Sequence, residues 1–224
     1  MVMIPVVILI NKLKSPKEGV PFMDVRRGRL EVIAGCMFSG KTEELIRRVR
    51  RAGYAGRRVS VFDHALDEER YRAGFANSHS GWEVKTHSTS NPREIYRIAC
   101  EENAEVVAID EAQFFPELFP VCDAQANLGV RVIVAGLNLD FRGEPFETLV
   151  AILPRADHLT LLNAICTECG EEATRTQRLI DGQPAPYNSP RIQVGGAESY
   201  QARCRHCHKV PGAPVLFMPD KGAT

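Results

Sequence analysis

The chain carries no net charge, and this absence limits the partners that it could attract. Its 224 residues contain 28 lysines and arginines and 28 aspartates and glutamates. Binding a polyanion through the overall field of a protein requires an excess of basic residues. Binding to nucleic acid would therefore need a local basic patch, and the composition suggests none. We expect no nucleic-acid partner.

An apolar run long enough to cross a membrane is also lacking. Residues 1–10 (MVMIPVVILI) are apolar, but a membrane-spanning helix needs about 20 such residues. No basic segment precedes this run and no small-residue cleavage site follows it, so it is not typical of a signal peptide. We expect no membrane partner. We interpret residues 1–27 as a poorly ordered extension, which could lie upstream of a later start at Met23.

The length leaves no room for two large domains, but it accommodates one medium domain with a small satellite. From Arg29 onward, short apolar runs alternate with helical stretches, which predicts an α/β fold with a mostly parallel sheet. The predicted strands are residues 30–34, 59–62, 106–109, 132–135 and 157–162. The predicted crossover helices are residues 41–52 and 92–100, the second with Asn91 as its N-cap.

Residues 35–42 read GCMFSGKT and match the phosphate-binding pattern GxxxxGK[ST]. The motif follows a predicted strand and precedes a predicted helix. In that context its glycines let consecutive N–H groups converge on a phosphate, and the helix adds its positive dipole end. Lys41 would neutralise the β- and γ-phosphates, and the Thr42 hydroxyl would bind Mg²⁺. We therefore predict nucleotide binding.

Two acids, Asp110 and Glu111, end the apolar run at residues 106–109. An acid at the carboxyl end of a buried parallel strand faces the ligand crevice of an α/β sheet. Asp110 is then the natural partner of Mg²⁺, and Glu111 can accept a proton from an attacking hydroxyl or water. In the alternative interpretation, both acids merely end the strand in solvent.

Four of the seven cysteines form two Cys-x-x-Cys pairs, Cys166/Cys169 and Cys204/Cys207. Pairs of this spacing suit a tetrahedral Zn²⁺ site closed by four protein ligands. His206 or His208 could replace Cys207 as a ligand, and the alternative to a metal site is a redox disulfide or free thiols.

The pairs lie farther apart than the usual zinc-ribbon interval, so the residues between them become a loop tied at its base by the metal. Within it, residues 181–196 are rich in proline and glycine and are predicted to be a long loop. Its glycines and aromatic rings suit a small planar ligand. Tyr187 and Tyr200 could instead be packing residues.

Five segments together resemble the zinc-containing, cytosolic-type (type II) thymidine kinases. They are residues 37–41 (MFSGK), 110–115 (DEAQFF), 140–146 (DFRGEPF), 175–180 (RTQRLI) and 194–200 (VGGAESY). The resemblance covers about residues 28–211. It implies a P-loop (RecA-like) α/β domain at residues 28–163, a zinc-bound lasso subdomain at 164–212 and a tail at 213–224.

The resemblance also implies a function. It is the ATP- and Mg²⁺-dependent transfer of the γ-phosphoryl group to the 5′-hydroxyl of thymidine, which gives thymidine monophosphate. Further implications are a structural Zn²⁺, a cytoplasmic location, a homotetramer and feedback inhibition by thymidine triphosphate.

The resemblance assigns roles to individual residues. Glu111 is implied as the general base and Lys41 as a second catalytic residue, with Thr42 and Asp110 at the Mg²⁺. The implied ATP-binding residues are Gly35, Cys36, Met37, Phe38, Ser39, Gly40, Lys41, Thr42, Asp110, Glu111, Ala112 and Gln113. The residues expected around the nucleoside are Met37, Leu137, Phe141, Phe146, Thr176, Arg178, Val194, Gly195 and Tyr200. The implied zinc ligands are Cys166, Cys169, Cys204 and Cys207.

The sequence departs from the family pattern at two places and leaves two alternative functions open. Residues 62–64 read FDH where relatives often have an aromatic residue followed by Lys-Pro, and Asn138 and Leu139 stand where many have Asp and Gln. One alternative is a nucleic-acid-stimulated P-loop ATPase with a zinc knuckle, although helicases of that kind need two such domains. The other is a zinc-stapled binding module whose ATP site is only regulatory.

Overall fold

The computed structural model describes residues 28–65, 85–193 and 198–215. Its centre is a six-stranded sheet in which every pairing is parallel, with the strand order β3-β2-β4-β5-β1-β6. The strands are β1 (Arg29–Gly35), β2 (Val59–His64), β3 (Lys85–Thr89), β4 (Val106–Ile109), β5 (Arg131–Leu137) and β6 (His158–Leu162). The predicted α/β class is confirmed.

Helices cover both faces of this sheet. They are α1 (Lys41–Tyr54), α2 (Pro92–Glu101), α3 (Leu118–Asn127) and α4 (Glu147–Ile152), with short 3₁₀ turns at Ala112–Phe114 and Leu153–Arg155. Because side chains alternate along a strand, Val32 and Val134 pack on the face of α2, α3 and α4, while Ile33 and Ile133 pack against α1. Among the described residues, no helix is long and apolar enough to cross a membrane.

The five predicted strands and two predicted helices are confirmed, but three further elements were not predicted. Strand β3 reads KTHST and pairs with β2 alone at the edge of the sheet, so it needs no apolar run. Helix α3 contains Pro120, whose missing N–H is harmless in a first turn. Helix α4 has only six residues, too few for a helical repeat to be visible.

A smaller unit of antiparallel strands follows the main sheet. It contains the pair β7 (Ala164–Ile165) and β8 (Glu172–Ala173) and a second sheet in the order β10-β9-β11. The strands of that sheet are β9 (Arg175–Ile180), β10 (Gln183–Pro184) and β11 (Tyr200–Arg203). Asp181 and Gly182 have φ angles of 51° and 75° and join β9 to β10 as a two-residue hairpin turn. The prediction that residues 181–196 form only a loop is therefore wrong at β10, because Asp-Gly is a hairpin signal.

Two predicted segments lie wholly or mostly outside the described residues. The extension at residues 1–27 is one, and residues 216–224 of the predicted tail are the other.

A buried carboxylate, that of Glu31, ties the main sheet to α1. Glu31 is 4% exposed and accepts hydrogen bonds from Arg29 (2.6 Å), Arg48 (2.8 Å) and Arg131 (2.7 Å). Arg48 belongs to α1 and also donates to Thr160 of β6 at 2.8 Å. Burial raises the pKa of Glu31, but the hydrogen bonds and charges of Arg131 and Arg29 outweigh it and lower the pKa from 4.5 to about 2. One carboxylate thus connects β1, β5, β6 and α1.

We expect Glu31→Gln to lower the free energy of unfolding at pH 7 by roughly 3 kcal/mol, the equivalent of this pKa shift. Because the folded-state pKa is depressed, the stabilisation is fully present above the unfolded value near 4.5 and is lost as the pH falls toward 2. Urea unfolding at several pH values should therefore show the variant and the wild type converging in acid.

Glu101→Gln is the matched control, because Glu101 forms an exposed pair with Arg97. It should leave the unfolding midpoint nearly unchanged. A gap between wild type and Glu31→Gln that stays constant from pH 7 to pH 3 would contradict the assignment.

Candidate active site

The phosphate loop, residues 35–42, connects β1 to α1 at the carboxyl edge of the sheet. Gly35 has no room for a side chain, since a Cβ would lie 2.3 Å from the carbonyl oxygen of Leu162. Gly40 has a φ of 84° and is the N-cap of α1 without a side-chain capping bond. The first N–H groups of α1 are thus not capped by a side chain, which is the condition for binding an anion at a helix N-terminus.

Lys41 and Ser39 turn back onto the loop itself. The Lys41 Nζ donates to the carbonyl oxygen of Cys36 at 2.8 Å, and the Ser39 hydroxyl donates to the same oxygen at 2.9 Å. The ammonium group is therefore bonded within the loop that is predicted to bind the phosphates.

Thr42 and Asp110 are in direct contact, although 68 positions separate them. The Thr42 hydroxyl donates to Asp110 Oδ2 at 2.8 Å, and the N–H of Glu111 donates to Asp110 Oδ1 at 2.9 Å. Asp110 directly follows β4 and is only 1% exposed. The two residues predicted to share a Mg²⁺ are therefore brought together, and a hydroxyl and a carboxylate are the oxygen ligands that this ion prefers.

Glu111 is held in a strained backbone conformation beside Asp110. Its φ of 50° and ψ of 38° lie in the left-handed region, which costs a non-glycine residue roughly 1–2 kcal/mol. The Gln113 amide donates to Glu111 Oε2 at 2.5 Å, and Gln113 Oε1 accepts from the N–H of Leu137 at 2.9 Å. Gln113 therefore fixes the carboxylate of Glu111 relative to the end of β5.

Two residues that are predicted to bind ATP, Ala112 and Gln113, directly follow Asp110 and Glu111 in the chain. Ala112 is fully buried in the core, and Gln113 spans from Glu111 to Leu137. The contacts of Gln113 indicate support of Glu111, and those of Ala112 indicate a place in the core, roles that the sequence pattern did not reveal.

Two hydrogen bonds join the phosphate loop to the smaller unit. The N–H of Met37 donates to the Thr176 hydroxyl at 3.0 Å, and the Cys36 thiol donates to the carbonyl oxygen of Ala173 at 3.3 Å. Burial raises the pKa of Cys36, so this thiol stays protonated and can donate. Met37 and Thr176, both predicted at the nucleoside, are therefore neighbours.

Phe141, Arg178 and Tyr200 form a second group of predicted nucleoside residues. The Arg178 guanidinium lies 4.5 Å from the centre of the Phe141 ring and donates to the Tyr200 hydroxyl at 2.9 and 3.1 Å. Its remaining nitrogen donates to the carbonyl oxygen of Pro190, and the Tyr200 hydroxyl donates to that of Gln193 at 2.6 Å. Arg178 is fully buried, and each of its nitrogens is already bonded within the protein.

Two of the remaining predicted nucleoside residues, Leu137 and Phe146, are among the described residues. Leu137 is half-buried at the end of β5. The guanidinium carbon of Arg191 lies over the ring of Phe146, 4.8 Å from the centre of that ring. Val194 and Gly195 lie outside the described residues.

Several residues near the site were not predicted, above all Asp140, Arg142 and Arg191. Asp140 accepts from Arg191 at 2.9 Å, and Arg142 donates to the carbonyl oxygen of Ser189 at 2.7 Å. These partners are 51 and 47 positions apart, so no local pattern could have indicated them. Within the family-like segment 140–146, only Phe141 and Phe146 are predicted from the sequence to lie at the nucleoside.

The departures from the family pattern are accommodated by burial. Asp63 and His64 end β2 at 2% and 8% exposure, and the His64 ring packs edge-on against Phe115 at 4.8 Å. Asp63 stands at the lysine position of relatives, and burial lowers the pKa of the neighbouring His64, so neither residue supplies the cation that relatives often carry there. Asn138 lies just beyond β5, and its buried Oδ1 has no hydrogen-bond partner among the described residues.

The four paired cysteines converge on one point. Their Sγ atoms all lie within 4.8 Å of one another, and those of Cys169 and Cys204 are 3.6 Å apart. Four thiolates about 2.3 Å from a tetrahedral Zn²⁺ would be about 3.8 Å apart, so the cluster fits this ion. Burial raises the pKa of Cys166, but N–H groups of Cys204 and Cys169 outweigh it and lower the pKa to about 6.

The cluster includes Cys207 and neither of the neighbouring histidines. His206 is exposed, and the Nε2 of His208 lies 2.9 Å from the carbonyl oxygen of Phe141. The alternative in which a histidine replaces Cys207 therefore finds no support.

Comparison with known proteins agrees with this geometry. Residues 28–208 match the family model described as thymidine kinase. The chain is also 53% identical over 194 residues to the thymidine kinase of Coprothermobacter proteolyticus, an alignment that covers 86% of this chain and 96% of that protein. Both the phosphate loop and the cysteine cluster fall within the matched residues. The chain therefore belongs to the thymidine kinase family.

Proposed function

We propose that the chain transfers the γ-phosphoryl group of ATP to the 5′-hydroxyl of thymidine at the carboxyl edge of the main sheet, with Glu111 as the general base. The observation that carries this proposal is the contact of Thr42 with Asp110 directly beside Glu111. Membership of the thymidine kinase family speaks against the two alternatives, an ATPase stimulated by nucleic acid and a regulatory binding module.

The charge of the phosphates is met by the phosphate loop. The first N–H groups of α1 and the Nζ of Lys41 face the place where the β- and γ-phosphates would lie. Thr42 and Asp110 would hold the Mg²⁺ that accompanies ATP, and this ion neutralises charge on the transferred group. These groups are in place before the reaction, so little reorganisation is needed as charge develops.

Glu111 is placed to act on the acceptor hydroxyl. A primary hydroxyl is a weak nucleophile, and a carboxylate within hydrogen-bond reach aligns it and takes its proton as the phosphoryl group moves. Gln113 holds the Glu111 carboxylate with a 2.5 Å hydrogen bond and is itself anchored to Leu137. The carboxylate therefore does not have to be positioned by the substrate.

The nucleoside would lie between the phosphate loop and the smaller unit. Met37, Thr176, Phe141 and Tyr200 would line this place together with Leu137 and Phe146, and the support for this is that Met37 contacts Thr176 and that Arg178 connects Phe141 with Tyr200. The expected contribution of Val194 and Gly195 rests on the resemblance alone. The contacts of Arg178 favour a supporting role, since it holds Tyr200 and the carbonyl oxygen of Pro190.

The four cysteines would hold a structural Zn²⁺ that closes the smaller unit. Cys204 directly follows β11, whose residue Ala202 pairs with Thr176 of β9. Thr176 in turn accepts from Met37 of the phosphate loop. The metal would therefore fix the position of the nucleoside-binding residues relative to the phosphate loop. This supports the division into an α/β domain at residues 28–163 and a zinc-bound subdomain at 164–212.

One exposed apolar surface supports the expected self-association into a homotetramer. Strand β6 is an edge of the main sheet, and Leu159, Leu161 and Ile165 on and beside it are 49%, 62% and 65% exposed. An exposed apolar edge strand is a template for pairing with a second copy. Feedback inhibition by thymidine triphosphate and a cytoplasmic location remain predictions from the resemblance.

We expect Glu111→Gln to lower kcat for thymidine about 10²- to 10⁴-fold, the usual contribution of a general base. The KM for ATP should change less than about threefold, since the substitution leaves the phosphate loop intact. Steady-state kinetics with Mg-ATP and thymidine measure both. Glu117→Gln, at an exposed carboxylate of the same segment, is the control and should behave as wild type. A kcat within tenfold of wild type would remove Glu111 as the base.

We expect metal analysis to find about one zinc per chain and Cys204→Ser to lose most of it. The KM for thymidine should then rise more than that for ATP, because β11 pairs directly with Thr176 of β9, whereas Gly40 and Lys41 of the phosphate loop belong to the start of α1. Cys100→Ser, at an exposed cysteine of α2, should keep both the metal and the kinetics. Full activity of a metal-free wild-type protein would contradict the zinc site. A larger rise in the KM for ATP than in the KM for thymidine would contradict the proposed position of the nucleoside.

A further inference from the structure

Two segments meet beside the proposed nucleoside site, and we call them the turn and the limb. The turn, residues 140–147, follows β5 and carries Phe141 and Phe146. The limb, residues 186–193, follows β10 and ends at Gln193, whose carbonyl oxygen accepts from Tyr200. The position of the limb therefore determines the position of Gln193, which is hydrogen-bonded to Tyr200.

All three guanidinium nitrogens of Arg191, in the limb, donate hydrogen bonds to residues of the turn. Its Nε donates to Asp140 Oδ2 at 2.9 Å, and its Nη1 donates to both carboxylate oxygens of Glu147 at 2.9 and 3.1 Å. Its Nη2 donates to the carbonyl oxygen of Pro145 at 2.7 Å, and its plane covers the Phe146 ring. A lysine could not reproduce this set, because it lacks the planar fork.

The turn holds its shape without Arg191. Asp140 Oδ1 accepts from the N–H groups of Arg142 and Glu144 at 2.9 and 3.0 Å, and the N–H of Asp140 donates to the Glu144 carbonyl oxygen at 2.8 Å. The Asp140 side chain is 1% exposed, so its charge acts on Arg191 with little screening by solvent. Arg191 thus binds a preformed anionic site, and the contact fixes the limb more than the turn.

The turn also reaches back to the limb through Arg142. This guanidinium donates to the carbonyl oxygen of Ser189 at 2.7 Å and lies 4.9 Å from the centre of the Tyr187 ring. The Tyr187 hydroxyl in turn donates to Glu144 Oε1 at 2.5 Å. Each segment therefore supplies one arginine to the other, and only the contact of Arg191 ends on a buried carboxylate.

We propose that Arg191 is a positioning residue for the nucleoside, because it fixes the limb against the turn before the substrate binds. The inference rests on the proposed function, since it requires the nucleoside to lie beside Phe141, Phe146 and Tyr200. A segment that is already ordered does not lose conformational entropy on binding, so the affinity for the nucleoside is higher. Within the part of the chain that the structure describes, Arg191 contacts the turn and not the phosphate loop, so we expect little effect on ATP.

The test is steady-state kinetics of Arg191→Met with thymidine and ATP varied separately. The KM for thymidine should rise roughly tenfold, within the range of one coupling between a substrate and a remote contact, while kcat and the KM for ATP change less than about twofold. Arg191→Lys should recover only part of the loss. Glu147→Gln removes the exposed partner and should have a smaller effect, which vanishes when it is combined with Arg191→Met.

Arg97→Met is the matched control, since Arg97 is an exposed, ion-paired arginine on α2 far from these contacts in sequence and should leave all three parameters unchanged. Thermal unfolding of each variant separates a local effect from a loss of fold. A KM for thymidine within twofold of wild type in Arg191→Met overturns the proposal, and so does an equal rise of both KM values.

A further variant, Thr176→Val, separates failure of this inference from failure of the proposed function. It removes a hydroxyl from the proposed nucleoside site and should raise the KM for thymidine whether or not Arg191 acts. If Thr176→Val raises this KM and Arg191→Met does not, only the role of Arg191 fails. If neither variant changes it, the proposed nucleoside site fails as well.

Discussion

The parallel pairing of β4, β5 and β1 brings three loops to one edge of the sheet. Gly35 pairs with Leu137, and Ile109 pairs with Val134, so the phosphate loop, the acids after β4 and the end of β5 are side by side. The contact of Thr42 with Asp110 and the bridge of Gln113 to Leu137 follow from this register. A strand displaced by one residue would turn its side chains to the opposite face and break both contacts.

The phosphate loop is shared between two units of the protein. Its Gly40 and Lys41 belong to the start of α1, while Cys36 and Met37 are hydrogen-bonded to Ala173 and Thr176 of the smaller unit. The two substrates of a kinase must approach within bonding distance, and the hydrogen bond from Met37 to Thr176 directly connects the phosphate loop to the strand β9 of the smaller unit.

The sequence predicted the parts of the site that depend on short segments. The phosphate loop, the acids after β4 and the paired cysteines are local patterns with fixed spacing, and the strands before the first two are apolar because both of their faces are covered. It did not predict contacts between distant residues with ordinary composition. Arg191 looks like any surface arginine until Asp140, 51 positions earlier, is folded beside it. Similarly, Arg178 looks like a ligand contact in the sequence, and burial places it among protein partners.

The left-handed backbone of Glu111 sets the stability of the fold against the catalytic role that we propose for this residue. A glycine would adopt the same φ of 50° without strain, so the fold would gain from a residue that cannot serve as a base. Retaining a carboxylate there keeps the protein below its maximal stability by roughly 1–2 kcal/mol. Selection for heat resistance alone would favour substitutions of Glu111 that lack the carboxylate and leave the protein inactive. Only selection for turnover would oppose these substitutions.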